Sequence, residues 1–427
     1  MKKILNPPEK DWKQILKRPT KTVDDIEKTV NQIFNDVQRN GDKAVNKYTK
    51  LFDGVSLENS LVSEDEIKTA VSLVSEELKQ AILLSKANIT KFHQAQKTEK
   101  VYVETIKGVE CWQEKRPIHK VGLYIPGGSA PLFSTVLMLA IPAQIAGCKE
   151  IVLCSPPNKE GKIHPAILFA ANLCGVTKII KVGGIQAIAG LAFGTEMIPQ
   201  VYKIFGPGNQ FVTVAKQLAT KYGVAIDIPA GPSELLVVAD DSAKASFVAS
   251  DLLSQAEHGA DSQVILVSTS KKLIDEVEKE IESQLSTLNR KEIAQKAIDN
   301  SKSIFVKTDE IALNLINEYA PEHLIVCTNN NDFYVDNIEN AGSVFIGNYT
   351  PESAGDYASG TNHTLPTNGF SKAYSGVNLD SFTKSITFQK ISKEGIKNIG
   401  NAIEIMATTE GLDAHKNAVT LRLNELK

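Results

Sequence analysis

The sequence predicts an α/β fold, because short apolar runs alternate with stretches of helical character over most of the chain. Strands that alternate with helices form parallel sheets through βαβ units. About ten such runs lie between residues 121 and 346, which is more than one open sheet accommodates comfortably. We therefore expect two parallel-sheet domains, each Rossmann-like but incomplete, with one nested in the other.

The two series of runs set the expected domain boundaries. The first series predicts a nested nucleotide-binding domain at residues 120–234. Its predicted strands are Val121–Ile125, Glu150–Cys154, Lys178–Val182, Lys203–Phe205 and Val224–Ile228. The second series predicts a first α/β domain, formed by residues 21–119 and 235–377, behind an N-terminal arm at residues 1–20. Its predicted strands are Leu235–Ala239, Gln263–Val267, Ser303–Val306, Leu324–Cys327 and Ser343–Ile346.

Helical spacing predicts the N-terminal part of that first domain and the tail at residues 378–427. In the N-terminal part, apolar side chains recur at three-, four- and seven-residue steps, which is typical of one buried helical stripe. The members of that stripe are Val71, Val74, Leu78, Ile82, Ile89 and Phe92. The tail repeats the spacing at Ile396, Ile399, Ile403 and Met406.

Composition argues against a nucleic-acid-binding protein and against a membrane protein. The 427 residues include 47 basic and 50 acidic ones, for a net charge of −3, so no nucleic-acid or membrane partner is expected. The most apolar stretch, Ser134–Cys148, is too short to span a bilayer. The five cysteines show no CxxC spacing, which favours free thiols in a reducing compartment. The expected location is therefore the cytoplasm.

Three glycine-rich loops follow predicted strands, at Ile125–Ser129, Val182–Gln186 and Phe205–Asn209. None of them matches GxGxxG or GxxxxGK[ST]. Glycine lets a backbone approach a phosphate closely, so three such loops favour a nucleotide cleft without identifying the nucleotide. Ordinary strand-to-helix turns remain the alternative.

In the segment Asp251–His258, Gln255 lies on a helical face that is otherwise apolar. A buried amide needs partners, and His258 stands one turn further on. Together the two side chains could grip a metal ion or a polar ligand. The alternative is a hydrogen-bonded core glutamine followed by a histidine at the helix end.

Glu322 and His323 adjoin just before a predicted buried strand. Neighbours in an extended segment point to opposite faces, so we expect them to serve different steps. Histidine is the natural base near neutral pH, and a desolvated glutamate can activate water. An exposed loop pair is the alternative.

Two further segments carry candidate ligands. Residues 351–363 have the composition of a loop and include Asp356 and His363, while Glu410 and His415 stand near the end of the tail. The imidazoles of His258 and His415, the Asp356 carboxylate and the Gln255 amide oxygen form a nitrogen and oxygen set that suits Zn²⁺. Spacing alone does not show that they converge, and the tail residues could be solvated.

Seven blocks of sequence closely resemble the histidinol dehydrogenase family, whose zinc- and NAD-dependent enzymes catalyse the last steps of histidine biosynthesis. The blocks occur in the family's order between about residue 20 and about residue 425. They are Leu123–Gly128, Phe205–Asn209, Pro229–Glu234, Gln255–Gly259, Ala320–Leu324, Glu352–Tyr357 and Leu412–Asn417.

The resemblance implies a role for each matching position. The zinc ligands would be Gln255, His258, Asp356 and His415, and the catalytic pair would be Glu322 and His323. The NAD contacts would be Tyr124, Gln186 and Asn209. Besides the zinc ligands and His323, the substrate contacts would be Ser233, His363 and Glu410. The family also implies a homodimer with shared active sites, in which the tail carries Glu410 and His415 to the partner chain.

The implied reaction oxidises L-histidinol to L-histidine through L-histidinaldehyde in two hydride transfers. A zinc hydrolase with Glu322 acting on metal-bound water is one alternative, but it leaves the glycine loops without a role. A non-enzymatic regulator that binds metal or nucleotide is the other.

Overall fold

The computed structural model of the chain describes all but a few residues, covering 1–19, 24–127, 130–229 and 231–427. The expected boundary between residues 20 and 21 lies outside the described residues. Gly128, Ser129 and Ala230, which belong to the predicted motifs, also lie outside them.

The described chain forms two compact units. The first is made of Met1–Gln96 and Ile118–Ser381, and it contains both predicted α/β regions. The second is made of Lys97–Pro117 and Phe382–Lys427. The first predicted domain included the residues up to 119. The segment Lys97–Pro117 instead groups with the tail, because its strand Val109–Pro117 pairs with the tail strand Thr383–Ile391.

The two units together contain the following strands and helices. The strands are β1 (Lys2–Leu5), β2 (Val101–Ile106), β3 (Val109–Pro117), β4 (Lys120–Tyr124), β5 (Glu150–Cys154), β6 (Lys178–Ile180), β7 (Lys203–Phe205), β8 (Ala225–Ile226), β9 (Glu234–Ala239), β10 (Gln263–Ser268), β11 (Lys302–Phe305), β12 (His323–Cys327), β13 (Ser343–Ile346) and β14 (Thr383–Ile391). The helices are α1 (Trp12–Ile15), α2 (Asp24–Asn40), α3 (Asp42–Asp53), α4 (Glu64–Leu73), α5 (Glu76–Ala95), α6 (Phe133–Ala146), α7 (Pro165–Leu173), α8 (Gly184–Phe193), α9 (Gln210–Thr220), α10 (Ala245–Ala256), α11 (Lys271–Leu285), α12 (Lys291–Asp299), α13 (Asp309–Tyr319), α14 (Asn331–Asn337), α15 (Glu352–Tyr357), α16 (Lys393–Thr409) and α17 (Asp413–Asn424).

Every apolar run predicted as a strand lies in one of two parallel sheets, which confirms the α/β class. The five-stranded sheet has the order β6-β5-β4-β7-β8. The six-stranded sheet has the order β1-β11-β10-β9-β12-β13. Its edge strand β1 was predicted only as part of an arm, because four residues are too few to show a periodicity.

The central strands of the six-stranded sheet are buried on both faces. All six residues of β9 and all six of β10 are buried. Leu235 and Val237 pack into the core beneath α10 and α11, while Leu236 and Val238 pack on the opposite side with Tyr319. Strands covered on both faces read as continuous apolar runs, which is why the sequence revealed them.

The predicted stripe in the N-terminal helical region is divided between α4 and α5. On α5 the buried face contains Ile82, Ile89 and His93. Phe92 is 45% exposed, so its place in the predicted stripe is wrong. His93 takes that position, and its Nδ1 lies 2.9 Å from the carbonyl oxygen of Ile89.

The second unit contains an antiparallel sheet that no apolar run in the sequence predicts. Its order is β14-β3-β2, and β14 pairs with β3 along the whole of Val109–Pro117. The expectation of a tail that is helical from residue 378 is therefore wrong at its start, and α16 begins only at Lys393. β14 mixes β-branched, aromatic and polar residues and is largely exposed. The Trp112 and Phe388 rings stack across the sheet with centroids 5.3 Å apart.

The apolar stretch noted in the sequence forms α6, a helix of 14 residues. Its residues from Ser134 to Ala143 are buried inside the first unit. Among the described residues, no helix combines the length and the apolar character needed to cross a membrane.

Candidate active site

A cluster of ionisable side chains lies at the amino ends of β9 and β12, in the first unit. Glu234 and His323 are the first residues of these strands, and Glu322 immediately precedes β12. The strands are neighbours in the sheet, with His323 in register with Leu235. Parallel pairing therefore brings residues from two distant segments together.

Glu322 and His323 form a buried pair, with exposures of 7% and 4%. Oε2 of Glu322 accepts a hydrogen bond from the backbone amide of Glu234 at 2.8 Å and lies 3.6 Å from Nδ1 of His323. The alternative of an exposed loop pair is thus excluded. The two residues are neighbours in an extended segment, yet the glutamate side chain reaches its partner's ring.

The two ring nitrogens of His323 have different surroundings. Nδ1 lies 3.3 Å from the carbonyl oxygen of Glu234 and 3.1 Å from Nε2 of Gln255. Nε2 has no hydrogen-bond partner among the described residues. Burial opposes a charged ring, but the carboxylates of Glu352, Glu322 and Asp356 outweigh it and raise the pKa of His323 to about 10. The site therefore holds an excess of negative charge that a cation would offset.

His258, Glu352 and Asp356 each offer one ligand atom, and these atoms all lie within 4.8 Å of one another. Glu352 is only 1% exposed, and its Oε2 has no hydrogen-bond partner among the described residues. Burial raises the pKa of Glu352 to about 8. A buried carboxylate with one oxygen unpaired is costly unless something compensates it, so the donor set fits a divalent cation.

Glu352 was missed as a candidate ligand, although it opens one of the quoted sequence blocks. The segment predicted as a loop is partly the short helix α15, which carries Glu352 and Asp356 four residues apart. Residues at this spacing share a helix face, so both carboxylates point to one place. The spacing was visible in the sequence, but the loop-like composition hid it.

Gln255 and His258 lie at the carboxyl end of α10 and just beyond it. Gln255 is 1% exposed, and its amide nitrogen donates to the carbonyl oxygen of Glu234 at 3.0 Å. His258 is exposed. Gln255 is thus a hydrogen-bonded core amide beside the cluster, and its role as a metal ligand stays a prediction.

His363 extends the same cluster. Its Nδ1 lies 3.1 Å from the carbonyl oxygen of Asp356, and its Nε2 lies 3.2 Å from the Thr135 hydroxyl. Burial lowers the pKa of His363. Ser233 directly precedes β9, so it adjoins the cluster along the chain. Both positions are compatible with the predicted substrate contacts.

Glu410 and His415 belong to the second unit, where Glu410 follows α16 and His415 lies in the first turn of α17. Both residues are exposed. Their predicted roles, substrate contact for Glu410 and metal ligation for His415, stay predictions.

The three predicted nucleotide contacts line one cavity of about 1620 Å³ in the first unit. Tyr124 ends β4, Gln186 lies in the first turn of α8, and Asn209 caps α9. Gln186 is fully buried, and neither polar atom of its amide has a partner among the described residues. The Tyr124 hydroxyl accepts a hydrogen bond from the amide of Gly184 at 3.0 Å. An unpaired buried amide on a large cavity is typical of a ligand contact.

A buried ion pair holds the loop that precedes Asn209. Nζ of Lys216 pairs with Asp227 and also donates to the carbonyl oxygen of Gly206 at 2.7 Å. Asp227 in turn accepts from the amide of Gly206 at 2.7 Å. Gly206 has a φ of 123°, and a side chain there would collide with the backbone of Tyr124. The pair therefore fixes the turn that leads into Asn209, at a backbone conformation that glycine adopts readily.

We expect Lys216→Met to lower the free energy of unfolding by about 3–5 kcal/mol, because it leaves the buried Asp227 carboxylate unpaired. Urea unfolding would measure this change. The exposed Lys221→Met serves as the control, with a change below about 0.5 kcal/mol. A loss under about 1 kcal/mol for Lys216→Met would contradict the importance of the pair.

Comparisons with known proteins agree with this architecture. A sequence model of the family described as histidinol dehydrogenase matches residues 16–423. The histidinol dehydrogenase of Bacteroides thetaiotaomicron is 61% identical over 427 residues and covers 100% of both chains. That of Campylobacter jejuni is 53% identical and covers 98% of each chain.

A solved structure gives the same answer for the fold. The crystal structure of histidinol dehydrogenase from Elizabethkingia anophelis matches with a TM-score of 0.98 at 56% identity. The match covers 100% of this chain and 98% of the other. Sequence and fold therefore agree over nearly the whole length, and the chain belongs to the histidinol dehydrogenase family of oxidoreductases, which serves histidine biosynthesis.

Proposed function

We propose that the protein oxidises L-histidinol to L-histidine through L-histidinaldehyde, with NAD⁺ as the oxidant and one Zn²⁺ in each subunit. The first step converts the alcohol and NAD⁺ to the aldehyde, NADH and a proton. The second step converts the aldehyde, water and a second NAD⁺ to the carboxylate, NADH and two protons. The buried pair of Glu322 and His323 beside a cation-binding donor set is the observation that carries this proposal.

His323 is suited to take the hydroxyl proton at Nε2. The surrounding carboxylates raise the pKa of His323 to about 10, so the ring would act as a base only when a bound cation offsets them. Its one remaining proton would then stay on Nδ1, which faces the carbonyl oxygen of Glu234, and Nε2 would be the free base. A base held in one orientation avoids the entropic cost of finding its substrate. The hydride passes to NAD⁺ from the carbon that carries this hydroxyl group.

Glu322 is suited to activate the water that attacks the aldehyde. Its Oε2 is held by the amide of Glu234, which fixes the carboxylate relative to the ring of His323. Its burial limits competing solvent at the carboxylate. A different residue thus serves each oxidation.

The residues present fit a zinc ion. His258 and Asp356 would hold it, with Gln255 and the partner's His415 as the further predicted ligands. The buried carboxylate of Glu352 lies beside them, and its Oε2 has no hydrogen-bond partner among the described residues. The chemistry that zinc supplies when bound is a fixed positive charge that holds the substrate's imidazole and amine. Nitrogen and oxygen donors of this kind suit zinc.

NAD⁺ is proposed to bind in the large cavity of the first unit, where it contacts Tyr124, Gln186 and Asn209. The buried amide of Gln186 offers a donor and an acceptor that lack protein partners. Burial raises the pKa of Tyr124 to about 12, so its hydroxyl stays protonated and able to donate.

A homodimer with shared sites would explain why apolar side chains of the tail are exposed in the single chain. The second unit exposes Ile405, Met406 and Leu421 by 58%, 64% and 61%. Apolar surface of this kind suits an interface. We propose that Glu410 and His415 reach the partner's site, where Ser233 and His363 contact the substrate. We also propose a cytoplasmic location, since no disulfide joins the five cysteines, all of which lie in the described part of the chain.

The experiment is histidinol-dependent formation of NADH by the zinc-loaded protein, followed by absorbance. The expected stoichiometry is two NADH for each histidinol consumed. One NADH would limit the activity to alcohol oxidation. No NADH would overturn the proposal and favour the zinc hydrolase or the non-enzymatic regulator.

A further inference from the structure

An arginine from the N-terminal arm reaches the amino end of β9. Nε and Nη2 of Arg18 donate to the two carboxylate oxygens of Glu234 at 2.5 Å and 2.8 Å. The side chains of this pair are 15% and 3% exposed. The backbone amide of Asn368 donates to the same carboxylate at 2.7 Å. This forked pair is the strong form of ion pairing, and it joins segments 216 positions apart.

The backbone of Glu234 in turn holds three side chains of the candidate active site. Its amide donates to Oε2 of Glu322 at 2.8 Å. Its carbonyl oxygen lies 3.0 Å from Nε2 of Gln255 and 3.3 Å from Nδ1 of His323. One peptide position, anchored by its own side chain, therefore orients both proposed catalytic groups.

The same arginine holds the segment that leads into Glu322 and His323. Nη2 of Arg18 donates to the carbonyl oxygen of Tyr319 at 2.7 Å. The guanidinium of Arg18 also lies 4.1 Å from the centre of the Tyr319 ring. Ala320 follows with a φ of 53°, a left-handed conformation that alanine rarely adopts. Backbone strain persists only where surrounding contacts impose it, and Arg18 is one of those contacts.

We infer that the ion pair of Arg18 and Glu234 positions Glu322 and His323 for both oxidation steps, so that Arg18 is a positioning residue of the active site. The inference rests on the proposed roles of Glu322 and His323. Arg18 holds the catalytic pair from two sides, through the Glu234 backbone and through the turn at Ala320. A lysine would keep the charge but lose the fork.

The first test compares the parent enzyme with Arg18→Lys in the NADH assay, with rates expressed per folded molecule. We expect kcat to fall by about 10–100-fold for both histidinol and histidinaldehyde, the loss typical of misplaced catalytic groups. The KM for histidinol should stay near the parent value, because no substrate contact is removed. A parental kcat with both substrates would overturn the inference, whatever the stability of the variant.

The second test uses chemical rescue of Arg18→Ala by the guanidinium ion. A cavity of about 380 Å³ adjoins Arg18, so a small cation can reach the vacated position. We expect added guanidinium to restore part of the lost kcat. Lys13→Ala, which removes a charge from the same cavity, should keep the parental kcat and show no rescue.

The outcomes separate this inference from the proposed function. An active parent with unaffected Arg18 variants overturns the inference alone, whereas an inactive parent overturns the proposed function with it. If Arg18→Ala does not fold, Glu234→Gln replaces it, and a parental kcat in that variant also counts against the inference. Loss of stability with no change in kcat would show a purely structural role.

Discussion

His323→Asn is expected to lower the rate of alcohol oxidation by about 10²–10⁴-fold, the usual contribution of a positioned general base. Asparagine keeps a polar group near the carbonyl oxygen of Glu234, so the fold should tolerate the change. It removes the free Nε2, which is proposed to accept the hydroxyl proton. Single-turnover NADH formation from histidinol measures the effect.

Glu322→Gln is the matched comparison. It keeps the shape of the side chain but removes the carboxylate proposed to activate water, so aldehyde oxidation should suffer more than alcohol oxidation. The exposed His119→Asn controls for a general effect of losing a histidine. Equal losses in both half-reactions for the two site variants would refute the division of roles.

Asp356→Asn is expected to abolish activity and to weaken zinc binding. It removes a charged ligand from the donor set of His258, Glu352 and Asp356. The loss of affinity should exceed the roughly 10–100-fold typical when only a partner of a ligand is changed. Metal content after dialysis and chelator competition both measure zinc without relying on activity. Stoichiometric zinc retained by the variant would exclude Asp356 as a ligand.

Companion variants decide which ligand set is correct. His415→Asn should also lose zinc, and retained stoichiometric zinc would remove His415 from the set. Glu352→Gln tests the carboxylate that the structure adds beside His258 and Asp356. If the sites are shared, mixed dimers of the His415→Asn and Asp356→Asn chains contain one intact site and recover activity. A mixture that stays inactive would mean that each chain completes its own site.

The sequence predicted those parts of the fold whose burial shows as continuous apolar runs. Such runs predicted all strands of the five-stranded sheet and the strands β9 to β13 of the six-stranded sheet. The antiparallel sheet of the second unit was not, because β2 and β14 are largely exposed and mix polar with apolar residues. Exposed strands of mixed composition give a weaker signal than strands covered on both faces.

The candidate site shows the same limit for side chains. Gln255 was correctly predicted to be buried, because it interrupts an apolar face. Glu352 could have been found from its spacing to Asp356, had α15 been recognised as helical. Arg18 and Glu234 could not have been paired, because only the folded chain brings residues so distant in sequence into contact.

The helices at the large cavity and at the acidic cluster present opposite ends to their proposed ligands, and the two ends favour ligands of opposite charge. The first turns of α8 and α9 meet the large cavity, and amide groups at the start of a helix carry partial positive charge, which favours phosphates. The last turn of α10 instead carries Gln255 to the acidic cluster, and carbonyl groups there carry partial negative charge, which favours cations. These ends of α8, α9 and α10 would thus favour a phosphate at the cavity and a cation at the cluster even without their side chains.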